Sequence, residues 1–324
     1  MERKLEQIHL QITRNCNLRC YFCGQWGKKG FFSDASGEEM TLENWKNVIF
    51  DIIEYRGKTG ITPFIMLWGG EPLVSPHFPA IVQLLHEHGF KIGMVTNGVL
   101  LDRYSELINE AAQNIFVSLD GTAEVHNTIR GDGVFEKVTE NIRKLTKPKI
   151  TIMSVITEKL IGQLPEFLEL LNTTNIKELY LQDMIGLTTE EVQDYKAMMA
   201  QEFGIHASYI DSWENNGRLY FHKEIEAFLS QLDRRRYHYD IIHKKHGGSE
   251  NPYCLSPFRH AHVTWNGNVI YCTDFYDFKA GNVKEESLEN IFLNEASERY
   301  RAMIMTDRCV TCKHCSWKDN KHYL

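Results

Sequence analysis

Long apolar runs and an excess of basic residues are both missing from this sequence. No stretch approaches the length of a membrane-spanning helix, and the opening MERKLEQIHLQIT lacks the apolar core and cleavage site of a secretory signal. Lys and Arg number 36 against 43 Asp and Glu, and the net charge of −7 offers no general attraction to nucleic acid or anionic membranes. We therefore predict a cytoplasmic protein whose partners include neither nucleic acid nor a membrane.

Cysteine is absent from the whole middle of the chain, between Cys23 and Cys254. The eight cysteines are Cys16, Cys20, Cys23, Cys254, Cys272, Cys309, Cys312 and Cys315. A cytoplasmic protein keeps its thiols reduced, which disfavours disulfides, and cysteines placed only by core packing would be scattered. The clustering near both ends therefore predicts metal binding.

Apolar segments that are typical of buried strands alternate with helix-like segments over the first half of the chain. The predicted strands are 8–13, 64–69, 91–96, 114–119, 149–156 and 177–183. The predicted helices between them are 41–56, 78–88, 101–112, 134–145 and 162–173. Such alternation predicts βαβ units and a parallel sheet. Six units are too few for a closed eight-stranded barrel, so we predict an α/β fold with a partial, three-quarter parallel β/α barrel.

The rest of the chain differs in composition. Residues 186–253 are polar and predict a helical linker region that ends in KKHGGSENP. HVTWNGNVIYC then predicts two short strands joined at Asn266-Gly267, which is a strong hairpin signal. We therefore predict a barrel over 1–185, a linker region over 186–253 and a small α+β domain with a β-hairpin over 254–324.

The N-terminal cysteines have the spacing Cys16-x3-Cys20-x2-Cys23, so one loop supplies three thiolates. Structural zinc normally takes four protein ligands, and iron–sulfur clusters also favour thiolates. Three thiolates on a [4Fe–4S] cluster would leave one iron open to another ligand. The alternative is a zinc site that His9 or a distant cysteine completes.

Four motifs in this half carry a family resemblance. They are CNLRCYFC (16–23), WGGEPL (68–73), VTNG (95–98), and VSLDG with HNTIRG (117–121 and 126–131). Their order and spacing resemble those of radical S-adenosylmethionine (SAM) enzymes. Each motif also follows a predicted strand, where parallel α/β folds gather their reactive groups.

The resemblance implies a set of cofactors and site residues. Cys16, Cys20 and Cys23 would hold a [4Fe–4S] cluster, and the methionine part of S-adenosyl-L-methionine would chelate the open iron. The implied contacts to SAM are Phe22, Gly69, Gly70, Glu71, Pro72, Asn97 and Ser118. The polar residues among them could equally be satisfied strand-end side chains, and Asp120 and Gly121 are expected to make a turn. The implied chemistry is reductive cleavage of SAM to a 5′-deoxyadenosyl radical.

The C-terminal cysteines resemble auxiliary-cluster domains called SPASM and, in shortened form, twitch. Five cysteines suffice for one auxiliary [4Fe–4S] cluster. The resemblance implies Cys254, Cys272 and Cys312 as ligands, with Cys309 preferred as the fourth and Cys315 as its rival. A zinc ribbon is the alternative for this half.

The stretch CTDFYDFKAGNV around Cys272 is similar to one in anaerobic sulfatase-maturating enzymes. In those enzymes an acid beside a cluster cysteine is the proposed base for alcohol oxidation. The likeness therefore suggests Asp274 or Asp277 as a catalytic base, although either could simply cap the turn.

Three classes of function follow from these features. The first is a radical SAM oxidoreductase that dehydrogenates a small molecule or a peptide side chain, with the auxiliary cluster accepting the second electron. The second is a maturase that forms a thioether or C–C crosslink in a ribosomal peptide. The third is a non-catalytic iron–sulfur electron carrier or redox sensor, which would not need the strand-end motifs.

The same resemblance predicts the partners of the protein. They are a small-molecule or peptide substrate and a low-potential electron donor of the flavodoxin or ferredoxin type. Only residues 1–7 precede the first predicted strand, so we expect no N-terminal leader-binding domain. A separate protein that binds a leader peptide is a further candidate partner.

Overall fold

A computed structural model of the chain describes residues 2–27, 30–32, 37–215, 221–245, 253–273, 276–306, 308–309, 312 and 315. The predicted base Asp274 lies outside the described residues. Within this part of the chain, no helix is long and apolar enough to cross a membrane.

In the described part of the chain, ten strands form one continuous sheet. They are β1 (Gln7–Gln11), β2 (Phe64–Trp68), β3 (Ile92–Thr96), β4 (Ala112–Ser118), β5 (Lys149–Val155), β6 (Glu178–Gln182), β7 (Asp240–Lys244), β8 (His260–Val263), β9 (Asn268–Ile270) and β10 (Gly281–Asn282). Their order across the sheet is β10-β9-β8-β1-β2-β3-β4-β5-β6-β7. Every pairing from β8 through to β7 is parallel, whereas β8 with β9 and β9 with β10 are antiparallel.

Helices lie between the parallel strands and after the last strand of the sheet. They are α1 (Leu42–Thr59), α2 (Phe78–Glu87), α3 (Ser105–Ala111), α4 (Ala123–Arg130), α5 (Val134–Ile142), α6 (Glu158–Leu171), α7 (Thr189–Phe203), α8 (His222–Gln231), α9 (Ser256–Arg259), α10 (Leu288–Leu293) and α11 (Glu295–Ile304). Short 3₁₀ helices lie at Pro72–Val74, Leu101–Tyr104, Tyr209–Trp213 and Arg234–Arg236. Thr41 and Thr188 begin α1 and α7 with capping boxes, in which each hydroxyl accepts an N–H of the first turn.

The predicted fold class is confirmed. All six predicted strands are present as β1–β6 in one parallel sheet, as in a partial barrel, and the predicted hairpin is present as β8 and β9. Gly267, in the turn of this hairpin, has a φ of +92°, and a Cβ there would lie 2.7 Å from the Asn282 Oδ1. Glycine is therefore required at this turn.

Two strands extend the predicted sheet. The helical prediction for 186–253 is incomplete, because α7 and α8 are followed by the parallel strand β7, whose five residues DIIHK are too mixed in polarity to stand out. Strand β8 pairs with β1, so the C-terminal hairpin continues the sheet of the barrel. The positions of the domain boundaries stay a prediction.

The two faces of the sheet differ in chemistry. Ile8 and Leu10 of β1 lie on the outer face, within the large core that the helices complete. The alternate residues of the strands lie on the inner face, where Phe64, Met66 and Tyr180 form a separate apolar cluster. On β1 this inner face carries Gln7, His9 and Gln11, all of them buried. Polar groups thus line one side of the barrel interior.

Candidate active site

A cavity of about 470 Å³ opens at the carboxyl ends of the parallel strands. It is lined by seven of the eight cysteines, namely Cys16, Cys20, Cys23, Cys254, Cys272, Cys312 and Cys315. The sheet therefore brings the two distant cysteine groups to one cavity. Cys309 is 2% exposed and is not among the described residues that line it. None of the eight cysteines, all of which lie in the described part of the chain, forms a disulfide bond.

Each sulfur of the N-terminal group accepts an N–H donor. The backbone N–H of Leu18 donates to the Cys16 Sγ at 3.4 Å, and that of Trp26 donates to the Cys23 Sγ at 3.4 Å. The Nη1 of Arg130 donates to the Cys20 Sγ at 3.7 Å. Donors aimed at three sulfurs suit negatively charged thiolates, so the loop fits an iron–sulfur cluster in its donor chemistry.

Burial favours the neutral form of the Cys16 and Cys20 thiols. Burial raises the pKa of Cys16 to about 11 and also raises the pKa of Cys20. Binding of iron must therefore release protons from this loop. In the described part of the chain, no three His, Cys, Asp or Glu side chains meet in an arrangement that would hold one metal ion. The fit to a cluster therefore rests on the donor set and its N–H partners.

The glycine pair after β2 packs against the cysteine loop. A Cβ at Gly69 would lie 2.4 Å from the carbonyl oxygen of Thr13, and one at Gly70 would lie 2.3 Å from the carbonyl oxygens of Arg14 and Asn15. The Gly70 N–H donates to the Thr13 carbonyl at 3.0 Å. Both glycines line the cavity. The two loops approach each other so closely that no side chain would fit at either position. Glycine is therefore required here whether or not a cofactor also approaches.

Glu71 ties two strand ends together. Its carboxylate accepts the Thr96 hydroxyl at 2.8 Å and the backbone N–H groups of Leu73 and Asn97 at 3.1 and 2.7 Å. Burial raises its pKa to about 7, against these hydrogen bonds, which lower it. Glu71 lines the cavity, but its oxygens are engaged mainly with the chain itself.

The other predicted SAM contacts differ in position. Phe22, Asn97 and Ser118 line the cavity, and the Asn97 Nδ2 donates to the Asn17 Oδ1 at 2.8 Å. Pro72 is not among the described lining residues. It begins the 3₁₀ turn Pro72–Val74, where its fixed φ suits the first position.

Arg130 is the arginine of HNTIRG and was not among the predicted site residues. Its Nε lies 2.6 Å from the Asp120 Oδ2, and both side chains are buried. The other oxygen of Asp120 accepts the Val155 N–H at 3.0 Å. Asp120 therefore joins the ends of β4 and β5 and directs the guanidinium at Cys20. Asp120 of VSLDG and Arg130 of HNTIRG are evident as motif residues in the sequence, but the motifs do not show that the two side chains pair.

The C-terminal thiols of Cys254, Cys272 and Cys309 lie close enough to Cys312 to influence its pKa. The Cys312 N–H donates to the Cys309 Sγ at 3.2 Å. A hydrogen bond with Cys309, burial, and the charges of Cys309, Cys254 and Cys272 raise the pKa of Cys312. Burial is the main cause that raises the pKa of Tyr300, and the charges of these four cysteines raise it further.

Asp277 lies at the edge of this region and supports a neighbouring helix. Its Oδ1 accepts the backbone N–H groups of Ser208 and Tyr209 at 2.7 and 3.0 Å. These groups begin the 3₁₀ helix Tyr209–Trp213, so the carboxylate serves as its N-terminal acceptor. Among the described residues that line the cavity, Thr273 is present and Asp277 is not.

This geometry predicts how Asp277 variants differ in stability. Asp277→Ala removes the acceptor of two N–H groups and should lower the free energy of unfolding by about 1–3 kcal/mol. Asp277→Asn keeps an Oδ1 that can accept both N–H groups, and its loss should stay below about 0.5 kcal/mol. Urea unfolding of both variants measures the difference. An equal loss in both would contradict the role of the oxygen as acceptor.

Two family models match the chain. Residues 10–171 match the Radical SAM superfamily, and residues 254–316 match SPASM, an iron–sulfur cluster-binding domain. The two matches cover the two cysteine groups that meet at the cavity.

Some curated relatives match nearly the whole chain, and others match about half of it. A tungsten-containing aldehyde ferredoxin oxidoreductase cofactor-modifying protein of Pyrococcus furiosus is 24% identical over 97% of this chain and 88% of its own length. A probable GTP 3′,8-cyclase of Archaeoglobus fulgidus is 32% identical over 54% of this chain and 58% of its own length. The chain thus spans little more than half of that second relative.

Solved structures share the fold. SuiB of Streptococcus suis bound to S-adenosylmethionine has a TM-score of 0.71 at 13% identity, covering 97% of this chain and 72% of SuiB. SuiB bound to its precursor peptide SuiA has a TM-score of 0.68 at 13% identity, covering 93% of this chain and 67% of SuiB. At such identities the likeness concerns the fold alone.

Proposed function

Because the chain belongs to the radical SAM superfamily, we propose that it is an oxidoreductase that removes hydrogen from a substrate carbon and passes the remaining electron to an auxiliary cluster. Membership confirms the predicted [4Fe–4S] cluster and S-adenosyl-L-methionine, and the SPASM match confirms an auxiliary iron–sulfur site. When bound, these groups supply a 5′-deoxyadenosyl radical and an electron acceptor.

One observation carries the proposal, namely that both cysteine groups line a single cavity. A substrate in that cavity lies near the source of the radical and near the electron acceptor. For an alcohol, the substrate loses a hydrogen atom from carbon, a proton from oxygen and one electron, and becomes a carbonyl compound. A protein that only carried electrons would not need a cavity at the carboxyl ends of the barrel strands.

We assign the auxiliary cluster to Cys254, Cys272, Cys309 and Cys312. The support is that the Cys312 N–H donates to the Cys309 Sγ, that Cys254, Cys272 and Cys309 raise the pKa of Cys312, and that all four raise the pKa of Tyr300. Cys315 also lines the cavity and is the rival for the fourth position.

The chain's own groups would position the SAM-binding site. Asp120 holds Arg130 against Cys20, and Glu71 holds the backbone of Asn97. Phe22, Gly69, Gly70 and Ser118 line the cavity and are the proposed contacts to SAM. Asp274 stays our candidate base, because Asp277 already accepts two N–H groups of a helix. The expected electron donor is a protein of the flavodoxin or ferredoxin type.

A peptide maturase is the second candidate function. It is supported by the fold shared with SuiB, which in one structure is bound to its precursor peptide SuiA. A crosslinking reaction would use the same cavity and the same two cysteine groups. A separate leader-peptide-binding protein would then be the expected partner.

The nature of the product distinguishes these two functions. The anaerobically reconstituted protein is incubated with SAM, dithionite and either a capped serine-containing pentapeptide or myo-inositol. An oxidoreductase yields a product that lacks two hydrogens and forms a hydrazone with 2,4-dinitrophenylhydrazine. A product that lacks two hydrogens but forms no hydrazone supports crosslinking. Formation of 5′-deoxyadenosine with no product from either probe would contradict alcohol oxidation of both substrate types.

A further inference from the structure

Three histidines form one wall of the cavity, and we refer to His9, His260 and His262 as the imidazole wall. Register places them together, because β1 and β8 pair in parallel with His9 opposite His262. The rings of His9 and His262 stack with centroids 4.1 Å apart, and the centroids of His9 and His260 are 6.1 Å apart. All three side chains line the cavity and are 5–8% exposed.

The imidazole wall is uncharged at neutral pH. Burial lowers the pKa of His262 to about 3 and that of His260 to about 4, and burial together with the two neighbouring imidazoles lowers the pKa of His9. A neutral imidazole donates from one nitrogen and accepts at the other. The wall therefore offers both kinds of hydrogen bond without charge.

The His262 Nδ1 and the Trp68 Nε1 are buried polar atoms on this side of the cavity with no hydrogen-bond partner among the described residues. The centroids of the two rings lie 6.2 Å apart, edge to face. Both residues line the cavity. Buried polar atoms are nearly always paired in native proteins, so these atoms indicate the place of a polar ligand group.

The charges around the cavity oppose an anion. Arg130 is the one Lys or Arg among the described lining residues, and Asp120 already pairs with it at 2.6 Å. Glu71 and Asp183 add acidic groups to the lining. A buried anion without a partner is costly, so a triphosphate or carboxylate on the imidazole wall would be unfavourable.

We propose that the imidazole wall binds an uncharged hydroxyl or amide group of the substrate and selects against anionic groups. The inference rests on the proposed function, because it concerns a substrate in the same cavity. It also distinguishes this chain from the relatives named for GTP that match about half of its length, since GTP carries a triphosphate. His262 is accordingly a substrate-binding residue.

The test uses the reconstituted holoenzyme with SAM, dithionite and four probes. Three are capped pentapeptides with Ser, Asn or Asp as the central residue between glycines, and the fourth is GTP. The readout is the probe concentration that gives half-maximal stimulation of 5′-deoxyadenosine formation, relative to each variant's own probe-free rate. Ser and Asn peptides should stimulate, whereas the Asp peptide and GTP should need at least about tenfold higher concentrations.

Variants of His262 test whether this residue binds the uncharged probes. His262→Leu removes the hydrogen-bonding atoms and should raise the half-maximal concentration of the Ser and Asn peptides about tenfold. His262→Asn places an amide near the position of Nδ1 and should stay within about threefold of wild type. His86→Leu, the same change at an exposed residue of α2, is the matched control and should match wild type.

Three outcomes would overturn the inference. They are equal stimulation by the Asp peptide or GTP, an unchanged half-maximal concentration in His262→Leu, and no stimulation by any peptide while probe-free cleavage of SAM persists. The last outcome leaves the cluster chemistry of the proposed function intact. Failure of the proposed function is distinct, because it would appear as no SAM cleavage or as a product without a carbonyl.

Discussion

Replacing Cys20 with alanine should abolish the release of 5′-deoxyadenosine from S-adenosylmethionine. Cys20 is 8% exposed, lines the cavity and accepts the Nη1 of Arg130 at 3.7 Å. The variant retains only the thiols of Cys16 and Cys23, which are too few to hold the cluster with one open iron. With dithionite and SAM, the wild-type protein should release 5′-deoxyadenosine slowly even without substrate, and the variant should release none above a protein-free sample.

A change in the same loop controls for damage to its backbone. Tyr21 adjoins Cys20, and 54% of its surface is exposed, so Tyr21→Ala removes an aromatic ring without removing a ligand. We expect this variant to retain cleavage. Undiminished cleavage in Cys20→Ala would refute the role of the cysteine loop, and equal loss in both variants would attribute the effect to loop structure.

The barrel and the position of its site could be predicted because both depend on local pattern. Strands such as FIMLW are continuously apolar, which marks a parallel sheet covered on both faces. The carboxyl ends of parallel strands share one edge of the sheet. Motifs that follow the strands, such as those at Gly69 and Asn97, therefore had to meet, and both residues line the cavity.

Contacts between distant parts of the chain could not be predicted in the same way. His9 and His262 are single histidines in separate strands, and only the pairing of β8 with β1 stacks their rings. The pattern of β7 is too short and polar to mark a strand, yet it extends the sheet beside β6. Register between strands that are far apart in sequence is a tertiary property, and no local signal specifies it.

The roles of single residues within the motifs also depended on tertiary packing. Gly70 was expected to let the backbone approach the cofactor, and the structure adds that a Cβ there would meet the carbonyl oxygens of Arg14 and Asn15. Asp120 was expected to make a turn, and it also holds Arg130 against Cys20. A motif thus indicates where chemistry occurs, while neighbouring loops determine which atoms take part.

The variant Cys272→Ala should separate cleavage of SAM from binding of the auxiliary cluster. The wild-type protein with two [4Fe–4S] clusters should hold about eight irons per chain after anaerobic reconstitution. Together with Cys254 and Cys309, Cys272 raises the pKa values of Tyr300 and Cys312, and we assign it as a ligand of the auxiliary cluster. Its loss should therefore reduce the iron to about four per chain. The loop of Cys16, Cys20 and Cys23 is unchanged, and slow formation of 5′-deoxyadenosine should persist.

Cys315→Ala is the matched control for this prediction. Cys315 also lines the cavity, but it is not one of the four cysteines that we assign to the auxiliary cluster, so this variant should keep about eight irons. Loss of a ligand also removes stability that metal binding supplies, and circular dichroism must therefore show that Cys272→Ala remains folded. About four irons in Cys315→Ala, with about eight in Cys309→Ala, would show that Cys315 and not Cys309 is the fourth ligand. About four irons in the wild-type protein would contradict the auxiliary cluster itself, because a single cluster at the N-terminal loop already accounts for that number.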